Sequence, residues 1–328
     1  MKALLIDESP DKPVMKPGEH PTPEPGEKEL LVKIRATALN RADLMQKAGK
    51  YPPPKGASPI LGLEMAGIVE EVGNGVTSFQ KGDRVCGLLS GGGYAEYCTI
   101  HEELAIPISD DVSFEEAAAI PEVFLTAYQA LIWLGRLKEN ETVLIHAGAS
   151  GVGTAAVQLA KLLRRARVIT TAGSSEKCSL TASLGSDLCM NYKEENFAES
   201  LEETFGKNCV NLILDFLGSP YWEKNMQILA MDGRLIYLAM LGGATVEKMS
   251  LVPILRKRLT IKGTTLRNRS LQYKIELTRN FVKETGKLFK GKKLKPVIDS
   301  VYDWNDVEEA HTRMENNLNA GKIVLTGM

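Results

Sequence analysis

The sequence predicts an α/β chain in which a doubly wound parallel sheet is inserted into a second domain built as a β-barrel. Three observations carry this reading. A glycine-rich turn, His146-Ala-Gly-Ala-Ser-Gly-Val-Gly153, joins the apolar run Val143 to Ile145 to an alanine-rich segment that reaches Lys161. From Glu141 to about Gly263, short β-branched runs alternate with helix-length segments, the pattern of stacked βαβ units. Residues 1 to about 120 show short alternating strands punctuated by Gly, Pro and Asp, the pattern of a closed or partly closed barrel.

In chain order, the barrel strands are read at 30–36, 66–72 and 84–88. Six parallel strands follow at 143–147, 167–171, 188–191, 210–215, 233–239 and 259–263, with helices between them at 151–163, 175–184, 197–205, 221–230 and 250–256. That is the complete count of a doubly wound dinucleotide fold. The end of the chain reads strand at 297–302, helix at 306–316 and strand at 322–325, and is expected to return to the first domain. The domains are therefore placed at 1–120 with 268–328, and at 121–267, with a small-molecule cleft expected between them.

The glycine turn carries the first chemistry. Gly151-x-Gly153-x-x-Ala156 fits a fingerprint in which the first Gly makes the tight turn and the second admits backbone N–H groups to a pyrophosphate, while Ala156 lets helix pack on strand. Unpaired N–H groups and the positive helix end, around Ala149 to Gly153, then meet phosphate charge. An NAD site usually places an acid about 20 residues past the first Gly, on the ribose hydroxyl. Here the second strand ends in Ala172-Gly173-Ser174-Ser175 and the first acid is Glu176. A carboxylate at the strand end would repel a 2′-phosphate, whereas a small polar turn followed by Lys177 accepts one. The cofactor expected is NADPH. The alternative for Lys177 is a solvated helix lysine.

Composition narrows the class. At 328 residues and 44% hydrophobic content the chain buries a large core, and a formal net charge of -1 supplies no field for nucleic acid or an anionic membrane. Two basic clusters, one from Arg256 to Arg269 and one from Lys287 to Lys295, read as solvated faces. The five cysteines include no C-x-x-C pair, so neither a disulfide framework nor a zinc knuckle is expected, and a reducing cytoplasm fits best. No stretch approaches the ~20 apolar residues of a bilayer span.

The order of motifs resembles one family. Ala38-Leu-Asn-Arg-Ala-Asp43, Gly49-Lys-Tyr-Pro-Pro-Pro54, Leu61-Gly-Leu-Glu64, Gly91-Gly-Gly-Tyr-Ala-Glu96, the glycine turn, Gln158-Leu-Ala-Lys161 and Gly321-Lys-Ile-Val-Leu325 resemble the zeta-crystallin-like quinone oxidoreductases of the medium-chain dehydrogenase/reductase superfamily. Asn40 to Gln46, the glycine turn and Tyr221-Trp-Glu-Lys-Asn225 resemble its tumour-suppressor-inducible type. The resemblance implies a GroES-like catalytic domain, a Rossmann domain, NADPH and a homodimer. Zinc-dependent members of the superfamily hold their catalytic metal with a His where this chain has Leu63, so no metal is expected.

Without a Lewis acid, hydride must pass to an acceptor that is already electron-poor, a quinone or a conjugated enone. The resemblance implies that Asn40, Gln46 and Thr126 line the nicotinamide pocket; as alternatives, Asn40 is an ordinary turn residue and Gln46 lies on a helix surface. Tyr51, stiffened by three following prolines, is expected to hydrogen-bond the quinone oxygen, and Ser150 to add a second bond, unless its hydroxyl only satisfies the local backbone. Gly173, Lys177 and Tyr192 are expected around the 2′-phosphate and ribose; Thr265, Leu266 and Arg267, with Asn319 or Lys322, are expected to close over the cofactor. Arg164-Arg165-Ala166-Arg167 departs from the family's Gly-Ala turn and leaves that helix end open. Competing expectations are an enone, 2-alkenal or enoyl-thioester reductase and a non-catalytic NADPH-binding regulator.

Overall fold

The computed structural model describes residues 1–7 and 13–328. The chain divides into two compact units, Met1–Leu125 with Leu266–Met328, and Thr126–Thr265.

The first unit begins with the antiparallel pair β1 (Lys2–Asp7) and β2 (Val14–Glu19). There follow β3 (Glu29–Ala38), α1 (Arg41–Lys47), β4 (Glu64–Val72), β5 (Arg84–Leu88), β6 (Tyr97–His101), β7 (Ala105–Pro107), α2 (Phe114–Ala118) and α3 (Pro121–Tyr128). β3 organises this unit. Its Leu30, Val32 and Ile34 pack with Met65, Val69 and Val85, whereas Ala36 and Ala38 meet Ala117 to Ala119, whose small side chains let α2 lie close to the sheet.

The second unit runs β8 (Thr142–Ile145), α4 (Gly151–Arg164), β9 (Arg167–Ala172), α5 (Ser175–Ser183), β10 (Leu188–Asn191), α6 (Phe197–Phe205), β11 (Val210–Asp215), α7 (Trp222–Ile228), β12 (Leu229–Tyr237), α8 (Val252–Lys257) and β13 (Thr260–Gly263). All six strands are parallel, in the order β10-β9-β8-β11-β12-β13. The strand order reverses direction at β8, and in such sheets ligands bind at the carboxyl ends beside that point. Leu144, Ile169, Ile213 and Leu235 pack with Phe197, Leu201 and Trp222.

The chain then completes the first unit with α9 (Leu271–Lys290), β14 (Ile298–Asp303), α10 (Val307–Glu315) and β15 (Lys322–Thr326). β14 and β15 are parallel, and β15 pairs antiparallel with β3 at Val324↔Ala38. The path is β14-β15-β3-β4-β5-β7 with β6 added on β3, and no pairing joins β14 to β7 among the described residues. The GroES-like barrel is thus partly open.

Four differences from the sequence reading have physical causes. Helix α9 was not foreseen, because its buried Ile275, Leu277 and Phe281 form a narrow stripe in a charged segment; Phe281 lies 6.4 Å from Phe124 and 6.0 Å from Phe289. Cys178 on α5 and Cys189 on β10 form a disulfide with a Cα separation of 5.3 Å, where no bridge was expected; sheet packing brings the two positions together, a juxtaposition cysteine spacing does not encode. The first basic cluster is not a uniform solvated face: Lys257 Nζ donates to the carbonyls of Met226, Gln227 and Leu229, and Arg267 is buried, whereas Lys287, Lys290, Lys292, Lys293 and Lys295 of the second are exposed. The left-handed residue of the glycine turn is Ala147, at φ 49°, rather than Gly151. Gly153 is needed for another reason, since a Cβ there would stand 2.4 Å from the Ala147 carbonyl oxygen.

The Arg164-Arg165 departure resolves locally. Arg165 caps α4 in the left-handed region at φ 49°, its N–H donating to Lys161 O at 3.0 Å, and β9 starts two residues later. The conformation normally taken by Gly is here held by an exposed arginine, at a cost of about 1 kcal/mol. Arg165→Gly is therefore expected to be neutral or stabilising by up to about 1 kcal/mol in urea denaturation; a clear loss would show that the arginine makes a compensating contact.

Candidate functional site

In the second unit, the turn after β8 is shaped by its own backbone. Ser150 is the N-cap of α4, its Oγ accepting from the Gly153 N–H at 3.1 Å, while Thr154 Oγ1 donates to Gly151 O. The cap uses a lone pair of Ser150 and leaves its hydroxyl proton uncommitted. Beneath the turn, His146 is fully buried between Thr171 Oγ1 at 3.1 Å and Asn225 Oδ1 at 2.9 Å, and Asn225 Nδ2 donates to Asp215 Oδ2 at 2.8 Å. Burial pushes the imidazole below its ordinary range, and Ser150 is not bonded to it, so this network supports the turn rather than activating a nucleophile.

The expected phosphate residues lie together at the end of β9. A Cβ on Gly173 would stand 2.7 Å from Tyr192 Oη, so the phenol rests directly over the glycine. Ser174 Oγ accepts from the Lys177 N–H at 3.3 Å and starts α5, and the Tyr192 N–H donates to Ala172 O at 3.1 Å. Both the small residue at 173 and the half-exposed tyrosine thus border the first turn of the helix, which carries Lys177. Ala149 is buried, Gly151 and Val152 are partly exposed at the helix start, and Thr265 is exposed. Thr126 Oγ1, on α3, is buried without a hydrogen-bond partner.

The first unit holds a buried polar cluster at the entry to α1. Lys322 Nζ donates to Leu39 O at 2.6 Å and Asn40 Oδ1 at 2.8 Å and pairs with Glu64 Oε1 at 2.7 Å. Asn40 Nδ2 donates to Ala38 O and Glu64 Oε1, and the Glu122 N–H donates to Glu64 Oε2 at 2.8 Å. Lys322 is therefore an internal strut, not a residue closing over a ligand, because all three of its protons are spent on buried acceptors; Asn319 likewise donates to Gly321 O. Asn40 is neither a plain turn residue nor a free amide. Its oxygen and both its protons serve this cluster, so what it offers a ligand is a fixed edge.

Gln46 is buried rather than on a helix surface: Nε2 donates to Pro59 O at 3.0 Å and Oε1 accepts from Arg267 Nη2 at 2.8 Å. Arg267 also donates through Nε to Ser90 O, and its guanidinium carbon stands 5.4 Å from the Tyr51 ring centre. Its Nη1 is buried with no hydrogen-bond partner. Leu266 beside it is buried. Burial, with the charge of Glu122, raises the Tyr51 phenol above its ordinary range, so it stays a donor. Two carboxyls missed from the sequence belong here. Burial pushes Asp43 up to about 6 and Glu122 up to about 8, the latter with help from Glu64 and against Lys322 and Arg267. Asp43 had a visible signal, its place three residues after Asn40, whose N–H donates to Asp43 Oδ2 at 2.7 Å. Leu63 is buried, and among the described residues no group of three or more His, Cys, Asp or Glu side chains is arranged to hold a metal.

Comparison with known proteins adds to this geometry. Residues 26–110 match the alcohol dehydrogenase GroES-like domain and residues 151–280 the zinc-binding dehydrogenase family. The human synaptic vesicle membrane protein VAT-1 homolog is 31% identical over 94% of this chain and 81% of its own length, and human quinone oxidoreductase is 29% identical over 92% and 90%. Among solved structures, Escherichia coli quinone oxidoreductase complexed with NADPH superposes with a TM-score of 0.84 at 30% identity, covering 96% of each chain. An NAD-dependent alcohol dehydrogenase gives 0.87 at 30% over 100% of each chain, and the CurK enoyl reductase 0.84 at 28% over 99% and 98%.

The raised Glu122 carboxyl has a stability consequence. Its folded value, about 8, exceeds the ordinary 4.5, so the native state holds a proton that the unfolded chain releases. Its contribution is present at low pH and is lost as the pH rises toward about 8. Denaturation midpoints between pH 6.5 and 8, above the Asp43 range, are expected to fall less in Glu122→Gln than in the wild type. Parallel falls would place the titrating group elsewhere.

Proposed function

The chain belongs to the zinc-free quinone oxidoreductase family of the medium-chain dehydrogenase/reductase superfamily, and on that premise we propose that it reduces quinones with NADPH. The observation that carries the proposal is Arg267, a buried guanidinium laid against Tyr51 with Nη1 uncommitted. A buried donor without an acceptor costs free energy, and an oxygen gaining negative charge is the acceptor that offsets it most.

The residues fit the cofactor on three grounds. The glycine turn leaves the start of α4 free of acidic side chains, Gly173 and Tyr192 frame a small polar turn before Lys177, and Thr126 Oγ1 awaits a partner. Bound NADPH supplies the hydride from its nicotinamide. Lys177 neutralises the 2′-phosphate, with Gly173 and Tyr192 beside it; Ala149, Gly151, Val152 and Gly153 bring backbone N–H groups toward the pyrophosphate. The candidates for the nicotinamide side are Asn40, Gln46, Leu266 and Arg267 on the first unit and Thr126 and Thr265 on the second. Tyr51 donates a hydrogen bond to the quinone oxygen that becomes negative, Ser150 offers its free hydroxyl proton, and Glu122 holds a proton in the neutral range in the same cluster as Tyr51.

A second reading is an enone, 2-alkenal or enoyl-thioester reductase, favoured by the likeness to CurK enoyl reductase and by the fact that the same donors suit an enolate oxygen. A homodimer is proposed through β13, the end strand of its sheet, beside exposed Leu251, Val252 and Leu255. Among the described residues no helix is long and apolar enough to cross a membrane.

Loss of NADPH absorbance with 1,2-naphthoquinone, run beside a 2-alkenal and with NADH, tests these readings. Quinone turnover that prefers NADPH is expected. Lys177→Ala should raise KM for NADPH about tenfold or more, the loss of one charge-assisted phosphate bond, and leave KM for NADH nearly unchanged. Tyr51→Phe should lower kcat with quinone about tenfold, matching one hydrogen bond to a developing charge. Turnover with the alkenal alone would move the chain to the enone reductases, and tight NADPH binding without turnover would make it a regulator.

A further inference from the structure

We propose that Cys178 and Cys189 are a reversible thiol–disulfide site that sets how tightly the chain grips a 2′-phosphate. The proposal rests on the NADPH reading above. The bridge ties α5 to β10, and it does so at the two places that carry the phosphate residues: Cys178 follows Lys177, and Cys189 precedes Tyr192 by three positions. Burial anchors the later part of α5. Thr181 is its one buried residue, bonded through Oγ1 to Thr170 Oγ1 at 3.1 Å, and it lies in the later part of the helix. The contacts that hold the first turn include the Ser174 cap, the Cys178 N–H donating to Ser174 O at 3.0 Å, Thr181 Oγ1 donating to Cys178 O at 2.9 Å, and the disulfide.

Both cysteines are partly exposed, so a reductant reaches them. Of the three remaining thiols, Cys86 and Cys98 are buried, and burial pushes each up to about 12, which leaves little thiolate for exchange; burial also raises the partly exposed Cys209 above its ordinary range. Opening the bridge is a two-electron exchange. The thiolate of a dithiol reductant attacks one sulfur, releasing the other as a thiolate that takes up a proton, and the reductant's second thiolate then resolves the mixed disulfide. The two cysteines end as thiols and the dithiol as its own disulfide. Oxidised glutathione closes the bridge in the reverse sense, leaving as two molecules of the thiol. With the bridge closed, the turn bearing Lys177 is fixed against the strand leading to Tyr192 before any ligand arrives. With it open, that ordering must be supplied on binding, which weakens affinity.

The test uses the full chain equilibrated with oxidised glutathione or with dithiothreitol, together with the Cys178→Ser, Cys189→Ser double variant. Alkylation and peptide mass mapping follow the bridge, and calorimetry gives Kd for NADPH and NADH. The expected result is a linked Cys178–Cys189 peptide only in the oxidised protein and an NADPH Kd that rises about threefold or more on reduction, with a smaller change for NADH. The double variant should match the reduced protein in either buffer. No linked peptide after oxidation, or an NADPH Kd indifferent to reduction while the preference over NADH persists, overturns the switch and leaves the phosphate pocket standing. Equal binding of NADPH and NADH in both forms overturns the pocket and the switch with it.

Discussion

The first unit depends on the buried pair of Lys322 and Glu64. The two charges are almost fully withdrawn from water, with side chains 3% and 0% exposed. Such burial is tolerable only when every remaining proton and lone pair finds a partner. Here they do: the three Lys322 protons go to Leu39, Asn40 and Glu64, and Glu64 also receives Asn40 and the Glu122 N–H. One charge pair thereby fixes the start of β15, the start of β4, the entry to α1 and the entry to α3. Leaving either charge unpaired would cost about 3–5 kcal/mol, so these four chain segments hold their mutual positions to within a hydrogen bond. The unusual carboxyls of Asp43 and Glu122 follow from the same burial.

How much of this was legible depended on the range of the interaction. The parallel sheet was legible because each strand announces itself locally: 188–191, 197–205 and 210–215 were read with the bounds the structure shows. The backbone alternative for Ser150 was legible as well, since capping uses neighbours a few residues away. The partners of Gln46, Asn40 and Cys178 were not, because Arg267, Lys322 and Cys189 come from other segments and no spacing rule links them. Lys322 and Arg267 show the difficulty best. Each reads as a cation near a ligand, and one is a strut with no proton to spare while the other keeps one nitrogen open. Helix α9 was lost for the opposite reason, its charged residues outnumbering a three-residue apolar stripe.

The two candidate regions use different physics. In the second unit, the candidate site is shaped by backbone geometry: a left-handed Ala147, a Gly153 packed against carbonyls, and a Gly173 beneath a phenol. Side chains there mostly hold the turn still, as the His146, Asn225 and Asp215 chain does. In the first unit the candidate groups are side chains whose charge is raised in influence by burial, with the Tyr51 phenol kept protonated and Arg267 Nη1 without a partner. A substitution that preserves size is tolerable in the first kind of site only if φ is respected, and in the second only if charge is.

The strand order of the first unit has a consequence for how the molecule is made. β15 lies inside its sheet, between β14 and β3, and it carries Lys322. Until residue 322 has left the ribosome, Glu64 has no Lys322 to pair with and β3 lacks β15 along Ala36 to Ala38. The second unit needs nothing outside 126–265 for its own sheet. Synthesis therefore delivers a finishable domain in the middle of an unfinishable one, and the first unit must wait, with an open strand edge, for its final strand.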